Sequence, residues 1–362
     1  GMSEVFRATL EGPMGFSKEV AVKRVSPRLT EDRENVRALI NEARIGALLR
    51  HRNVVEVFEL DQADGAWFVA MELVHGKTLW EILDRCRSTG AFLPRAVALA
   101  IVEQASEGLA YAHAFGEDQG KSIGLVHRDL KPANLMLSDR GVVKIMDFGI
   151  ARSSMRFYET SLGGPLKGTP LYMAPEQFEG TQASPASDVF SLSVMLYEML
   201  TNARIFLAPT TAGVIERLTR MDLEPFLQPI QGRDPELGQL LRRGLDRNPR
   251  TRFRTAAEFC AAAAALRSVT PVNLDEFVRY LQLAPRRGLI TPAPADPWTW
   301  DPPGDLAEPG SAPAGTRPLE EVALDLQHFG VAFFGPVLFP DSRARELDAA
   351  RRSVIPHYGS FR

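Results

Sequence analysis

Cysteine is scarce in this chain. The 362 residues hold two, Cys86 and Cys260, far apart and forming no C-x-x-C pair. That excludes a C-x-x-C redox or zinc motif and fits a reduced, cytosolic setting, while a single disulfide between the two stays open at this stage. Long apolar runs are also missing: nothing approaches the ~20 residues of a membrane span. The nearest stretch, FGVAFFGPVLF at 329–339, is short and broken by Gly335 and Pro336, and reads as core or as a partner-covered strand. There is no excess of charge of either sign. A net charge of −3 gives no global pull towards nucleic acid or an anionic membrane. Neither a signal-peptide pattern nor an internal repeat is visible.

What is present divides into parts. The first sixty residues alternate as strands, SEVFRATL and KEVAVKRV, joined by the Gly/Pro-bearing EGPMGFS. Between about Asp32 and Leu49, Val36, Leu39, Ile40, Ala43 and Ala47 form one apolar helical stripe. NVVEVFEL and AWFVAMELV read as further strands. From Leu79 onward the periods become mostly helical, with RAVALAIVEQASEGLAYAHAF and SDVFSLSVMLYEMLT as long buried helices and Ser187 placed to cap the second. Strands followed by helices predict an α+β arrangement in two unequal parts. In NLDEFVRYLQ, Leu274, Phe277, Val278 and Leu281 share a helix face, with Asn273 and Glu276 in capping positions. Packing of that face on the preceding domain is preferred to binding of a partner. Residues 285–318 hold nine prolines with little periodicity, the composition of an extended linker, and 319–362 form a short tail of unassigned role.

The chemistry concentrates in LVHRDLKPANLML and VVKIMDFGIAR. Asp129 and Asn134 lie on one loop and Asp147 follows the next strand. Three oxygen-bearing side chains converging near a phosphate suit Mg²⁺, which takes carboxylate, amide and phosphate oxygens. Lys131 beside Asp129 makes sense where a polyanion has to be held.

These blocks, in this order and spacing, resemble the catalytic core of a eukaryotic-like (Hanks-type) serine/threonine protein kinase of bacterial style over roughly residues 1–268. The resemblance implies a bilobal fold with a small β-rich N-lobe, its first strand missing (1–74), and a larger helical C-lobe (75–268). A helical extension (269–284), the linker (285–318) and the tail (319–362) would follow. It also implies ATP with Mg²⁺, or Mn²⁺ as an alternative, protein substrates, no nucleic acid and no membrane segment in this chain. A cytoplasmic location follows, with room for a membrane anchor elsewhere in a parent protein, and oligomeric state is left open.

By the same resemblance, Lys23 of AVK would hold the α- and β-phosphates, with Glu42 of NEARIG as its ion-pair partner. Asp129 would accept or orient the substrate hydroxyl's proton, Lys131 would neutralise the γ-phosphate, and Asn134 and Asp147 would ligate the metal. Val5 and Ala21 would cover adenine from above and Met136 from below. Backbone groups of Glu72 and Val74 would read its edge, and Met71 would be the gatekeeper. Gly1 would belong to the phosphate-covering loop. Thr160 and Ser161 are candidate phosphosites, with Arg128 as the phosphate clamp. Thr169 of KGTPLYMAPEQ, in the substrate-docking loop, would bridge Asp129 and Lys131. Lys131 and Thr169 argue for serine/threonine rather than tyrosine acceptors. Glu176 would pair with Arg252, and Asp188 would anchor the catalytic-loop backbone; both features oppose a small-molecule phosphotransferase, which shares only the Asp/Asn/Asp part. A pseudokinase scaffold is the remaining rival, opposed by the presence of Lys23, Glu42, Asp129, Asn134 and Asp147.

Two departures stand out. Gly46 occupies a position where the family packs a larger apolar side chain, which predicts a less firmly held helix. GMSEVFRATL matches only the second half of a G-x-G-G-M-x-x-V-F loop, so the chain is read as truncated within its Gly-rich loop, in preference to Gly1 being a tag remnant ahead of Met2.

Overall fold

A computed structural model describes residues 3–25, 33–63, 66–89, 92–115, 124–148, 170–180, 183–267, 274–275 and 277–278. These fall into two compact units, with a chain that crosses between them after Leu48, Val55 and Leu73. Gly1, Thr160, Ser161, Thr169 and the segments 285–318 and 319–362, to which the sequence assigns roles, lie outside the described residues, as does the side chain of Glu42.

The first unit is a four-stranded antiparallel sheet with one helix. Strands β1 (Ser3–Glu11), β2 (Ser17–Val25), β3 (Val57–Ala63) and β4 (Ala66–Glu72) run in the order β1-β2-β4-β3. The alternation read from the sequence pairs in register, Val5 opposite Lys23, and Ala21 opposite both Arg7 and Met71. Residues facing each other across antiparallel strands share a face, as do alternate residues along one strand. Val5, Ala21, Lys23 and Met71 therefore stand on one side of the sheet.

Helix α1 (Arg33–Leu48) follows β2. Gly46 on this helix is buried, and a Cβ there would sit 2.9 Å from Val57 Cγ2. This corrects the reading of Gly46 as a packing loss. The glycine instead admits the branched Val57 of β3 close against the helix backbone, and a larger residue would collide with it.

The second unit is built on helices. A small sheet is formed by β5 (Gly76–Thr78), β6 (Leu135–Ser138) and β7 (Val143–Ile145), and the HRDLKPAN segment ends in a short 3-10 turn, Pro132–Asn134, directly before β6. Helices α2 (Leu79–Thr89) and α3 (Arg95–Ala114) lead into it. A one-turn helix, α4 (Pro175–Phe178), precedes α5 (Pro185–Thr201), which is buried from Ala186 to Leu200 and forms the axis of the core. A helix apolar on all sides is stable only when surrounded, and α6 (Thr211–Arg220), α7 (Glu224–Arg233), α8 (Pro235–Gly244) and α9 (Ala256–Leu266) follow it in that unit.

Ser187 is not the N-cap of α5 but the third helical residue, in its capping box. The helix begins one turn earlier, after Ser184, and the Ser187 hydroxyl accepts the Ser184 N–H at 3.0 Å while donating to Glu176 Oε1 at 2.7 Å. Leu274, Phe277 and Val278 of the extension are buried in the core of this unit, as their shared face predicts. The close approach of Leu274 and Asp275 requires Gly141, whose φ of +72° and whose lack of a Cβ leave room for the Asp275 backbone.

Candidate active site

Asp188, in the first turn of α5, organises the catalytic loop from below. Its carboxylate is 1% exposed and accepts three bonds: from the backbone N–H of His127 at 2.8 Å, the N–H of Arg128 at 2.9 Å and His113 Nε2 at 2.9 Å. Burial works against its ionised form, but the His113 hydrogen bond, the neighbouring His113 and His127 and the backbone donor outweigh it. The carboxyl is held below the usual Asp range.

The loop itself is tied at nearly every residue. The Arg128 backbone is left-handed, φ +68°, a conformation an L residue adopts only when its surroundings enforce it. The Asp129 N–H donates to His127 O at 2.9 Å and reaches His127 Nδ1 at 3.3 Å. His127 Nε2 lies 2.9 Å from Met146 O, a carbonyl that can only accept, so the ring carries its proton on Nε2 and leaves Nδ1 as an acceptor. The His127 ring also packs at 4.8 Å on Phe148.

Above this base stand the candidate reacting groups. Lys131 Nζ lies 3.0 Å from Asp129 Oδ2. Asn134 Nδ2 donates to Asp129 O at 2.8 Å and to Oδ2 at 3.3 Å, which fixes the amide and turns its Oδ1 to the other side. Asn134 O accepts the Met146 N–H at 2.9 Å, bringing the next residue, the exposed Asp147, beside the loop with a left-handed φ of +51°. Asp129, Lys131, Asn134 and Asp147 thus come together as a group. An amide oxygen and a carboxylate are a donor set that suits Mg²⁺, which completes its shell with phosphate oxygens and water. Arg128 adds a guanidinium whose Nε is buried with no hydrogen-bond partner, a donor suited to an anion.

The nucleotide-contact candidates are distributed over both units. Met136 is buried on β6 of the second unit, and Val74 begins that unit's chain after the third crossing. Val5, Ala21, Lys23 and Met71 are on one sheet face of the first unit. The Glu72 N–H already donates to Glu56 O at 2.8 Å, so it is not a free donor for a base edge.

The segment after the activation region is fixed by a buried ion pair. Arg252, 1% exposed, grips Glu176 with two parallel bonds of 2.8 Å, and its other N–H groups reach the carbonyls of Ala186, Arg247 and Asp246. All five guanidinium donors need partners in such a place. Burial opposes Glu176 ionisation, but Arg252 and Ser187 outweigh it and lower its titration. The Glu176–Arg252 pair and the Asp188 anchor were both foreseen from the motifs. Two tethers were not: Tyr172 Oη donates to the buried Glu198 at 2.5 Å, and Gln177 links α4 to the catalytic loop. The APEQ string contained Gln177, but no pattern in it signals a bond to Arg128. Neither cysteine is in a disulfide, and burial pushes Cys86 up to about 12 and Cys260 up to about 11, which makes neither a reactive thiol.

Residues 2–263 match the protein kinase domain model. The chain belongs to the protein kinase family. This protein kinase is 36% identical over 262 residues to the tyrosine-protein kinase MasK of Myxococcus xanthus, covering 72% of this chain and 40% of that protein. It is 33% identical to the serine/threonine-protein kinase PknB of Mycobacterium leprae, covering 75% of this chain and 42% of PknB. To PknA of Mycobacterium tuberculosis it is 35% identical, covering 74% and 59%. Among solved structures it is similar to the PknI kinase domain of Mycobacterium tuberculosis, with a TM-score of 0.53, 27% identity and coverage of 73% of this chain and 90% of that one. The kinase therefore spans less than two thirds of the curated relatives it matches. Its fold, a small β-rich lobe and a larger helical one, is the family's, as is the use of ATP with a divalent cation. Among the described residues, no helix is long and apolar enough to cross a membrane.

Proposed function

We propose that this chain transfers the γ-phosphate of Mg²⁺-ATP, or of the Mn²⁺ complex, to serine and threonine hydroxyls of proteins, in bacterial signalling from the cytoplasm. The observation that carries this reading is the Asp129 carboxylate, steered by Lys131 at 3.0 Å and Asn134 at 3.3 Å above a loop locked by Asp188. In this role Asp129 orients the acceptor hydroxyl and takes its proton. Lys131 offsets the charge that grows on the transferred group. Asn134 Oδ1 and Asp147 hold the cation, which when bound neutralises phosphate charge. Lys23, paired with Glu42, holds the α- and β-phosphates. Val5, Ala21 and Met71 line the adenine from one side and Met136 from the other. Arg128 is proposed to clamp a phosphate on Thr160 or Ser161, and Thr169 to bridge Asp129 and Lys131.

The test is transfer of labelled phosphate from ATP to matched peptides bearing Ser, Thr or Tyr, and to an aminoglycoside, in Mg²⁺ and then Mn²⁺. Labelled Ser and Thr peptides with an unlabelled Tyr peptide are expected. Labelling of the Tyr peptide alone would move the chain to the acceptor class named for MasK, labelling of the aminoglycoside alone would make it a small-molecule phosphotransferase, and ATP binding with no transfer would make it a scaffold.

A further inference from the structure

The side chain of Gln177 spans two elements that the motifs treat as independent. Its Oε1 accepts the backbone N–H of Ala174 at 3.1 Å, at the start of α4. Its Nε2 donates to the carbonyl of Arg128 at 3.0 Å. The orientation of the amide is dictated by its partners, because a backbone N–H can only donate and a carbonyl can only accept.

The carbonyl that Gln177 grips belongs to the peptide unit joining Arg128 to Asp129. The N–H of that same unit is held by His127 O at 2.9 Å. A peptide unit is planar, so bonds at both of its edges fix its plane, and the Asp129 Cα is the next atom along the chain. Upstream, the Arg128 N–H is held by Asp188 at 2.9 Å. On the other side of Gln177, the segment running into Ala174 is fastened to α5 through Tyr172, whose carbonyl accepts from Ser191 Oγ at 2.7 Å and whose hydroxyl donates to Glu198.

We propose that Gln177 is a positioning residue for phosphotransfer: it sets the Arg128–Asp129 peptide, and through it the Asp129 carboxylate, relative to the segment 170–174. The role needs one acceptor and one donor on the same short side chain. Glutamate keeps the shape and the acceptor but turns the donor into a second acceptor facing the Arg128 carbonyl. Protonation returns the donor. The titratable and charged groups around the site are His127, Arg128, Asp129 and Lys131 from the loop, His113 from α3, Asp188 from α5, and Glu176 with its partner Arg252. They are common to wild type and variants, so ratios of variant to wild type isolate position 177.

This inference rests on Asp129 as the carboxylate that serves the acceptor hydroxyl. The experiment measures kcat and the KM for ATP with a Ser peptide for wild type, Gln177→Met and Gln177→Glu, between pH 8 and pH 5.5, with melting temperatures recorded alongside. Wild type failing to label the peptide would refute the function proposed above. Given an active wild type, both variants are expected to lose about tenfold in kcat at pH 8, the scale of one lost hydrogen bond, with the KM for ATP within about twofold. The Gln177→Glu to wild-type ratio is expected to rise about 1.5-fold between pH 8 and pH 5.5, where an ordinary glutamate becomes about 6% protonated, while the Gln177→Met ratio stays flat. Unchanged kcat, an equal loss of ATP binding, or a flat Gln177→Glu ratio would each overturn the proposal. The last would mean that position 177 contributes only bulk or stability.

Discussion

Between Val126 and Asn134 the backbone is held by buried polar partners, whereas in the hairpin of β1 and β2 it is held by the strand ladder, with side chains turned mainly to solvent. Each region contains a residue other than glycine with a left-handed backbone, Arg128 at φ +68° and Met14 at φ +58°. Such a conformation costs roughly 1–2 kcal/mol in either place. At Arg128 both backbone polar groups are engaged, the N–H by Asp188 and the C=O by Gln177. At Met14 the side chain is fully exposed at the tip of a turn. The same strain serves the placement of Asp129 in one case and only closes a hairpin in the other. Strain in a backbone becomes informative about function when its polar groups are locked by side chains from distant parts of the chain.

The comparison is broken most severely by removing the anchor of the loop. Asp188→Asn keeps the shape but loses the charge and one acceptor, leaving donors of the loop without a partner. Peptide phosphorylation is expected to fall at least about 100-fold, the scale seen when positioning is lost. Unchanged turnover would mean that the loop holds itself without Asp188.

Arg252→Met leaves Glu176 buried without its partner and is expected to cost about 3–5 kcal/mol in urea unfolding at pH 7. The pH dependence sharpens this. Glu176 and Asp188 titrate lower in the folded protein than in the unfolded chain, where the ordinary values are about 4.3 and 3.9. In that window the unfolded state binds more protons, so their contribution is fully present above about pH 4–5 and is lost as pH falls through the folded values. Without Arg252, burial pushes Glu176 upward instead. The gap in urea midpoint between wild type and Arg252→Met should therefore narrow from pH 7 to pH 4, and a constant gap would count against the ion-pair account.

In the first unit the effects are smaller. Gly46→Ala gains up to about 1 kcal/mol of helix propensity but places a Cβ 2.9 Å from Val57 Cγ2. Overpacking of that kind costs about 1–3 kcal/mol. A net loss near 1 kcal/mol in urea unfolding is expected, recovered when Val57→Ala is added. Stabilisation by Gly46→Ala alone would show that the strand simply shifts aside. Met14→Gly relieves the hairpin strain and should raise stability by about 0.5–1 kcal/mol, part of the gain being offset by the greater freedom of the unfolded chain. Its effect on peptide phosphorylation should be negligible.

How far the sequence could be read followed the same division. Asp129, Lys131, Asn134 and Asp147 were legible because they are polar groups at fixed spacing around tight turns, and the structure brings them together. Asp188 and the Glu176–Arg252 pair were legible only through the resemblance to protein kinases, and the structure shows why each needs its partners: all three residues are buried charges. Ser187 was misassigned because a capping residue and the third residue of a helix are both small and polar, and only the hydrogen bonds distinguish them. Gly46 was misread because a sequence does not display what lies across from a glycine; the neighbour, Val57, is eleven positions further on. Gln177 carried no signal at all, since its second partner is a backbone carbonyl, which every residue possesses.

The most direct test of the central claim is transfer in a single turnover, with enzyme in excess over labelled ATP and a Ser peptide present, comparing wild type with Asp129→Asn. The account predicts rapid labelling of the peptide by wild type and a loss of about 10²–10⁴-fold in the variant, with ATP affinity retained in both. Labelling of the peptide by Asp129→Asn at the wild-type rate would contradict it, because the loop that Asp188, His127 and Asn134 hold in place would then be presenting a group the reaction does not use.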